Sequence, residues 1–483
     1  MSIKKINSGI TVSKDELDKQ SEFAAINKDN LFNRHKKENP LAYVRTFGCQ
    51  GNVSDGERLK GMLCEMGYEI TEDSDAADLV LLNTCAIREH AQDRVLGNIG
   101  ALKHLKESKP GFLLALCGCM MQQEYVAEKI RRSYPYVDLV FGTHVIHKLP
   151  ELIYRCINGE RQVFELPDSN GIIAEGLPQK RDSAFKAWLP VMYGCDNYCS
   201  YCVVPYVRGR ERSREARIII KEATELVAAG YKEITLLGQN VNSYGKGENA
   251  PLDFSDLLRE LNAIDGDFII RFMTSHPKDC SHKLLDTMAD CPKVAKHLHL
   301  PFQSGNNRIL QVMNRGYTRE QFLNLLEYAR HVMPALSVTS DVIVGFPGES
   351  YNEFCDTLSL VEQAKFTSLF TFIFSPRKGT AAESLTDIVS HEEKVKWFQE
   401  LTALQEKNSA LRTAEMKGKS YRVLCESETK AGSGIISART ESNIIIEFPA
   451  PPAVIGSFQF VKVSEAFTWL VKGELIPCVS KND

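Results

Sequence analysis

No apolar run in this 483-residue chain approaches the ~20 residues needed to span a bilayer, so a membrane-spanning helix is excluded at the level of hydropathy. The opening MSIKKINSGITVSKDELDKQ has neither a secretory apolar core nor the acid-poor character of a transit peptide, and the cytosol is the expected compartment. An excess of one charge is missing as well. Lys and Arg number 58 against 62 Asp and Glu, for a formal net charge of −4. No global basic field exists, and any nucleic-acid contact has to come from local patches. There is no fixed-period repeat and no low-complexity tract, which sets aside solenoids and fibrous chains. The hydrophobic share of 43% and charged share of 25% are those of an ordinary globular protein, long enough for two or three domains.

What the chain does have is 14 cysteines. Cytosolic thiols are kept reduced, so clustered cysteines there point to metal binding or catalysis rather than to disulfides.

Hydrophobic periodicity divides the chain into four regions. Residues 1–39 are polar, end in RHKKENP, and read as a loosely ordered extension. Residues 40–160 alternate strand-like YVRTFG, DLVLLNT, FLLALCG and VDLVFG with helical stretches, which predicts a parallel, flavodoxin-like α/β sheet. Residues 181–412 repeat the alternation in WLPVMYG, EITLLG, FIIRFMT, KHLHLP, SVTSDVIVGF and SLFTFIFS. Six such units fit an open, partial (β/α)6 barrel, followed by one long amphipathic helix. Residues 414–478 switch to short β-type runs at the spacing of a small all-β barrel. The fold class is therefore α/β with an all-β C-terminal module.

The strongest local signal is GCDNYCSYC, which spaces Cys195, Cys199 and Cys202 as C-x3-C-x2-C directly after the first strand of the central region. A structural zinc site normally has four ligands, and the next cysteine is Cys280. Three thiolates instead suit a four-iron cluster with one open iron. The spacing and the aromatic Tyr201 resemble the motif of the radical S-adenosylmethionine superfamily, in which that aromatic lies beside the adenine.

Cys49, Cys85 and Cys119 are far apart in sequence, yet each follows a predicted strand. Parallel strands deliver their carboxyl ends to one edge, where helix N-termini also point and favour thiolates. These three can converge there. Three ordinary buried cysteines is the competing reading, and Cys117 is the one rival ligand. Strand ends of the central region offer Gln239, Asn240 and Asn242 in GQNVNSYG, Gln303 and Ser304 in PFQSGNN, Arg315 in MNRGYT, and Asp341 and Gly345 in SDVIVGFPGE. Turn chemistry accounts for them equally well. Arg208, Arg210, Arg212 and Arg214 follow the cysteine loop as YVRGRERSR. They form either a phosphate-contacting comb or an internally paired segment.

FGCQGNVSDGERLKGML, NTCAIREHAQDRV, GCMMQQE, YGCDNYCSYCVVPYVRGRERSR, LLGQNVNSYG, HLPFQSGNNRILQVMNRGYTRE, SDVIVGFPGES and FSPRKGT occur in that order and resemble the radical S-adenosylmethionine methylthiotransferases. The similarity runs from about residue 40 to residue 478, with Gly51 standing where the family commonly has Met. The wording is closest to the branch that methylthiolates carbon 2 of N6-isopentenyl (dimethylallyl) adenosine at position 37 of tRNA.

The resemblance implies two 4Fe-4S clusters, one on Cys195, Cys199 and Cys202 and an auxiliary one on Cys49, Cys85 and Cys119. S-adenosylmethionine would be both methyl donor and radical source, with Tyr201, Gln239, Asn240, Gln303, Ser304, Arg315 and Asp341 around it. It also implies tRNA as partner through the anticodon stem-loop, an electron donor such as flavodoxin or ferredoxin, and a monomer. ISARTESNIIIEF resembles the TRAM-type RNA-binding barrel of these enzymes, with Arg439, Thr440 and Asn443 at matching positions. That module carries five Lys and two Arg against six Glu between Met416 and Cys478, so its RNA contact needs a few placed groups, with Phe448 or Phe460 as stacking candidates. Sister acceptors, threonylcarbamoyl-adenosine in tRNA or an aspartate of a ribosomal protein, and a non-catalytic RNA-binding redox sensor, are the alternatives.

Overall fold

The computed structural model describes residues 11–35, 37–86, 89–167, 171–246 and 251–476. The first ten residues of the expected extension and residues 477–478 of the expected last domain lie outside the described residues. The chain forms two compact units. One holds residues up to Asp182 together with Met192–Tyr198 and Cys202–Arg214, and the other holds Ser183–Val191, Cys199–Tyr201 and everything from Glu215 onward.

The first unit begins with α1 (Lys14–His35) and continues through β1 (Leu41–Thr46), α2 (Gln50–Glu65), β2 (Glu69–Ile70), β3 (Leu79–Thr84), α3 (Glu89–Ala101), α4 (Lys103–Ser108), β4 (Leu113–Gly118), α5 (Glu124–Ser133), β5 (Leu139–Phe141), α6 (Leu149–Ile157) and β6 (Val163–Glu165). The sheet is parallel throughout, in the order β2-β1-β3-β4-β5-β6. LVLLNT and LLALCG are buried along their whole length because β3 and β4 lie in the middle with helices on both faces.

Period-2 alternation sends Leu79, Leu81, Leu113, Ala115 and Cys117 to one face, against Leu59, Met62, Leu149 and Leu152. Val80, Leu82, Leu114 and Leu116 go to the other, against Val95, Ile99, Val126 and Ile130. Each such side chain contributes about 1.5–3 kcal/mol on burial.

The polar opening is not a loose extension over its described part. In α1 the positions Gln20, Ala24, Asn27 and Leu31 are buried, and Asn27 donates through Nδ2 to Pro150 O at 2.8 Å.

The second unit carries β7 (Lys186–Pro190), β8 (Glu233–Leu237), β9 (Ile269–Phe272), β10 (His297–His299), β11 (Ser337–Val344) and β12 (Ser368–Ile373). They form two three-stranded parallel sheets, β9-β8-β7 and β10-β11-β12, and Ile270 of β9 makes a parallel bridge to Val294 in the segment that leads into β10. This is the open six-stranded arrangement the alternation predicts. Asp253, Thr318 and Ser350 each open a helix with a reciprocal capping box, which explains where three of the crossover helices start.

After α7 (His391–Ala414) come β13 (Ser420–Glu428), β14 (Ile435–Thr440), β15 (Ile445–Pro449), β16 (Phe458–Ala466) and β17 (Val471–Leu475), closed into a barrel in the order β13-β14-β15-β17-β16. Val423, Cys425, Ile436, Ala438, Ile446, Phe448, Val461 and Val463 fill its interior. The barrel belongs to the same compact unit as the parallel strands. Arg271 of β9 donates to Thr440 O at 2.8 Å and Glu441 O at 2.9 Å.

Candidate functional site

Three strand ends of the first unit carry the first set of cysteines. Cys49 caps α2 just after β1, Cys85 follows Thr84 of β3, and Cys119 follows Gly118 of β4. Asn52, in the first turn of α2, fastens these ends together. Its Nδ2 donates to Phe47 O at 2.9 Å and to Thr84 O at 2.8 Å, while its own carbonyl accepts from Asn83 Nδ2 at 2.8 Å. Gly48 makes the approach possible. Its φ is +108°, and a Cβ there would fall 2.6 Å from Cys85 Sγ. Cys117 lies in the core face with Leu113 and Phe141, whereas Cys119, beyond the turn at Gly118, packs with Ala86, Val203 and Val207. The turn breaks the strand alternation and separates the two thiols.

Burial pushes the Cys119 thiol up to about 12; Arg208 opposes the shift, and the nearby sulfurs of Cys49 and Cys85 add to it. Metal binding requires thiolates, so a metal group held by these thiols would release their protons on binding. Among the described residues no three His, Cys, Asp or Glu side chains are arranged around a single metal ion. Three cysteines at a glycine-cleared edge, with the Asp55 carboxylate engaged by the Arg208 guanidinium, suit a polynuclear iron–sulfur group, which spreads its ligands around its own volume.

The arginine run after the second cysteine set is mostly internal, in contrast to the phosphate comb. Arg208 is buried, with Nη1 2.7 Å from Asp55 Oδ2, Nη2 donating to Asn52 Oδ1 at 2.7 Å and Nε donating to Cys119 Sγ at 3.0 Å. Arg212 is buried and donates through Nη1 to Arg208 O at 3.1 Å, and Arg214 is buried in a two-point pair with Glu175 at 2.9 and 2.6 Å. Arg210 alone of the four is exposed, where it pairs with Asp196 at 2.8 Å. The physical reason is supply of acceptors: Asp55, Asn52 and Glu175 come from segments distant in sequence, which a local reading of RGRERSR does not see.

In the loop of C-x3-C-x2-C, Cys195 and Cys199 are buried and Cys202 is half-buried. Cys195 N–H donates to Gly209 O at 3.2 Å. In the second unit, Arg315 is buried and donates from Nη1 to Cys199 Sγ at 3.4 Å and from Nη2 to Pro301 O at 2.6 Å. Its sequence position pointed to a cofactor contact; its guanidinium is directed at a cysteine sulfur. Tyr201 meets Phe346 edge-on at 6.4 Å, beside Ile309 and Met313.

Strand ends of this unit bring several expected residues to the carboxyl edge. Asn240 is buried, donates to Asp279 Oδ2 at 2.7 Å, and keeps an Oδ1 without a partner. Asn242 is committed to the backbone of His276 at 2.9 and 3.0 Å. Gln239 is half-buried. Gln303 is buried with φ +68°, and Ser304 is buried beside it. Asp341 lies 3.5 Å from His299 Nε2.

Sequence reading missed Ser200, Ser275, His276 and Glu349, whose buried Oγ, Oγ, Nε2 and Oε1 atoms lack partners. An unpartnered buried polar atom costs about 1–3 kcal/mol, so such a set fits a polar ligand. Burial pushes His276 down to about 2, leaving it neutral, and its Nδ1 accepts from Lys278 N, which puts the remaining proton on Nε2. Glu349 accepts from Gly345 N at 2.8 Å and Phe346 N at 3.1 Å, and burial raises it to about 7. Ser275, His276 and Glu349 share a position three to five residues past a strand end, whereas Ser200 lies inside the cysteine loop.

On the small barrel, Arg439 is held by Glu426 at 2.9 Å and by Asn443 Oδ1 at 3.2 Å, with Asn443 at φ +66°. Burial favours the neutral form of Glu426, but Arg439 and Lys186 together bring its carboxyl below the ordinary value. Phe448 is core; Phe460 is exposed, as are Phe467 and Trp469 at the β16–β17 turn.

Comparison with known proteins accounts for this arrangement. Residues 189–361 match the radical SAM superfamily and residues 41–142 match the uncharacterized protein family UPF0004. The fold is similar to that of the radical S-adenosylmethionine methyltransferase TsrM from Kitasatospora setae, with TM-score 0.53, 16% identity, and coverage of 71% of this chain and 77% of that one. The chain is 45% identical over 470 residues to the tRNA-2-methylthio-N(6)-dimethylallyladenosine synthase of Thermoanaerobacter sp. (strain X514), covering 97% of this chain and 99% of the relative. The enzyme of the same name from Clostridium tetani is 44% identical, covering 92% of this chain and 98% of its own. With full-length identity of this order and both cysteine sets at strand ends and loop as described, the chain belongs to the tRNA-2-methylthio-N(6)-dimethylallyladenosine synthase family.

Proposed function

We propose that the chain methylthiolates carbon 2 of N6-isopentenyladenosine at position 37 of tRNA, with two 4Fe-4S clusters and S-adenosylmethionine as cofactors. The observation that carries the reading is the identity of 45% across 97% of the chain to an enzyme named for that product. When bound, a reduced cluster with S-adenosylmethionine supplies a carbon-radical oxidant able to open an aromatic C–H bond, and the auxiliary cluster supplies the sulfur.

The protein's own part is holding and orienting. Cys195, Cys199 and Cys202 would ligate one cluster and leave an iron open, with Arg315 fixing the sulfur of Cys199. Asn240, His276 and Ser275 would meet polar atoms of the S-adenosylmethionine, since each has a buried atom without a partner. The neutral His276 would donate from Nε2. Tyr201, Gln239, Gln303, Ser304 and Asp341 would line the same edge. Cys49, Cys85 and Cys119 would ligate the auxiliary cluster, and the Asn52 clamp supports this reading because it holds all three strand ends in register.

Arg210, Arg439 and Asn443, with the exposed aromatics of the small barrel, are the groups left for the anticodon stem-loop. The enzyme would act as a cytosolic monomer with flavodoxin or ferredoxin as electron donor. Nucleoside mass spectrometry of tRNA from cells with and without the gene tests the substrate. Loss of 2-methylthio-N6-isopentenyladenosine with accumulation of N6-isopentenyladenosine is expected, and an unchanged profile overturns the assignment.

A further inference from the structure

Arg208 is the C-terminal residue of the short helix Val204–Arg208, and every edge of its guanidinium is spoken for. One nitrogen faces the carboxylate of Asp55, one donates to the side-chain Oδ1 of Asn52, and Nε donates to the sulfur of Cys119. Asn52 in turn grips the carbonyls of Phe47 and Thr84, the residues just before the Cys49 turn and Cys85. The guanidinium therefore closes a buried network that touches all three strand ends. It is also delivered by the segment that begins at Cys202, only six residues earlier in the chain. A surface arginine would gain nothing from such placement. Burying a cation is costly, and the cost is offset here by one carboxylate and by placed acceptors, one of which is a sulfur.

From this geometry we propose that Arg208 is a positioning residue for the auxiliary cluster: its Nε–H holds the sulfur of Cys119 in ligating orientation and raises the cluster's reduction potential. The inference rests on the reading that Cys49, Cys85 and Cys119 hold that cluster. A hydrogen bond to a ligating sulfur, from a cationic donor in a dry site, withdraws charge from the iron–sulfur unit and stabilises its reduced state. Asp55 neutralises the guanidinium at its far end, so the effect is directional and acts through the contact to sulfur. Lysine cannot reproduce it, because its ammonium has no planar fork to serve Asp55, Asn52 and Cys119 at once.

The test uses the full-length chain in which Cys195, Cys199 and Cys202 are all replaced by Ala, so that any cluster present is the auxiliary one. After anaerobic reconstitution, iron and sulfide are counted and the cluster is titrated by EPR-monitored potentiometry. About four irons per chain support the cluster reading; a chain that binds no iron removes that reading, and the inference falls with it.

In the iron-loaded background, Arg208→Gln is expected to lower the reduced fraction at a fixed potential about tenfold, equivalent to ~59 mV for a one-electron couple. It should also lose iron to a chelator faster. Arg208→Lys should fall between Gln and Arg. Where the Gln variant fails to fold by circular dichroism, the Lys variant decides alone. A lowered potential with normal iron supports the role, and a midpoint unchanged from Arg208 overturns it while leaving the cluster reading intact.

Discussion

Gly48 and Glu349 show how much one residue sets at these edges. A side chain at Gly48 meets the thiol of Cys85 and is strained by φ +108°. Gly48→Ala should therefore cost about 1–2 kcal/mol in backbone strain and displace the Cys85 thiol, one of the three proposed cluster ligands. Reconstituted protein is expected to retain a normal circular dichroism spectrum and to bind less iron; full iron content would show that the edge tolerates the methyl. Glu349 has the opposite character, a carboxyl that burial raises to about 7 although Gly345 N, Phe346 N and Lys394 favour its charged form. The folded state thus holds its proton more tightly than the unfolded state, whose carboxyl titrates near 4.5. Stability falls as pH rises through the window from about 4.5 to 7, by on the order of 3 kcal/mol, and is flat above it. Glu349→Gln should flatten that part of the profile in urea denaturation of the metal-free chain between pH 5 and 8. The same downward slope in the Gln variant would assign it to another group.

At the scale of elements, the strand ends were legible and the helix at the start was not, for one physical reason. β3 and β4 announce themselves because both faces are apolar, and a parallel sheet then places Cys85 and Cys119 side by side. In α1 the buried positions 20, 24, 27 and 31 keep helical spacing, but two of the four are Gln and Asn, so the apolar stripe disappears from the sequence. Asn27 is polar because it bonds a carbonyl of α6, a fact of tertiary structure. The arginine run stayed open between two readings on the same ground, since the acceptors that decide it, Asp55 in α2 and Glu175, are distant in sequence. Leu31→Ala distinguishes a packed element from an extension: Leu31 is 1% exposed, so truncation should remove about 2–5 kcal/mol from the urea stability of the first unit. An extension would leave the midpoint unmoved.

For the whole molecule, a net charge of −4 means that affinity for tRNA cannot rest on a general basic field, and three of the four arginines after the cysteine loop are spent internally. Stacking would then have to take on more of the work. Phe460, Phe467 and Trp469 are exposed on one hairpin of the small barrel, Trp469 at 53%, and Lys472 lies over the ring of Phe467 at 5.2 Å. Base–aromatic stacking is worth about 1–3 kcal/mol per base. Trp469→Ala should therefore weaken binding of an anticodon stem-loop by roughly 5- to 150-fold. Because stacking releases no counterions, the salt dependence of binding should stay the same in the variant. Of the three tryptophans Trp397 is buried and Trp188 half-buried, so quenching of the exposed Trp469 reports the contact directly. Unchanged affinity in Trp469→Ala, or fluorescence indifferent to added RNA, would return the hairpin to ordinary surface and leave Arg210, Arg439 and Asn443 to carry the RNA.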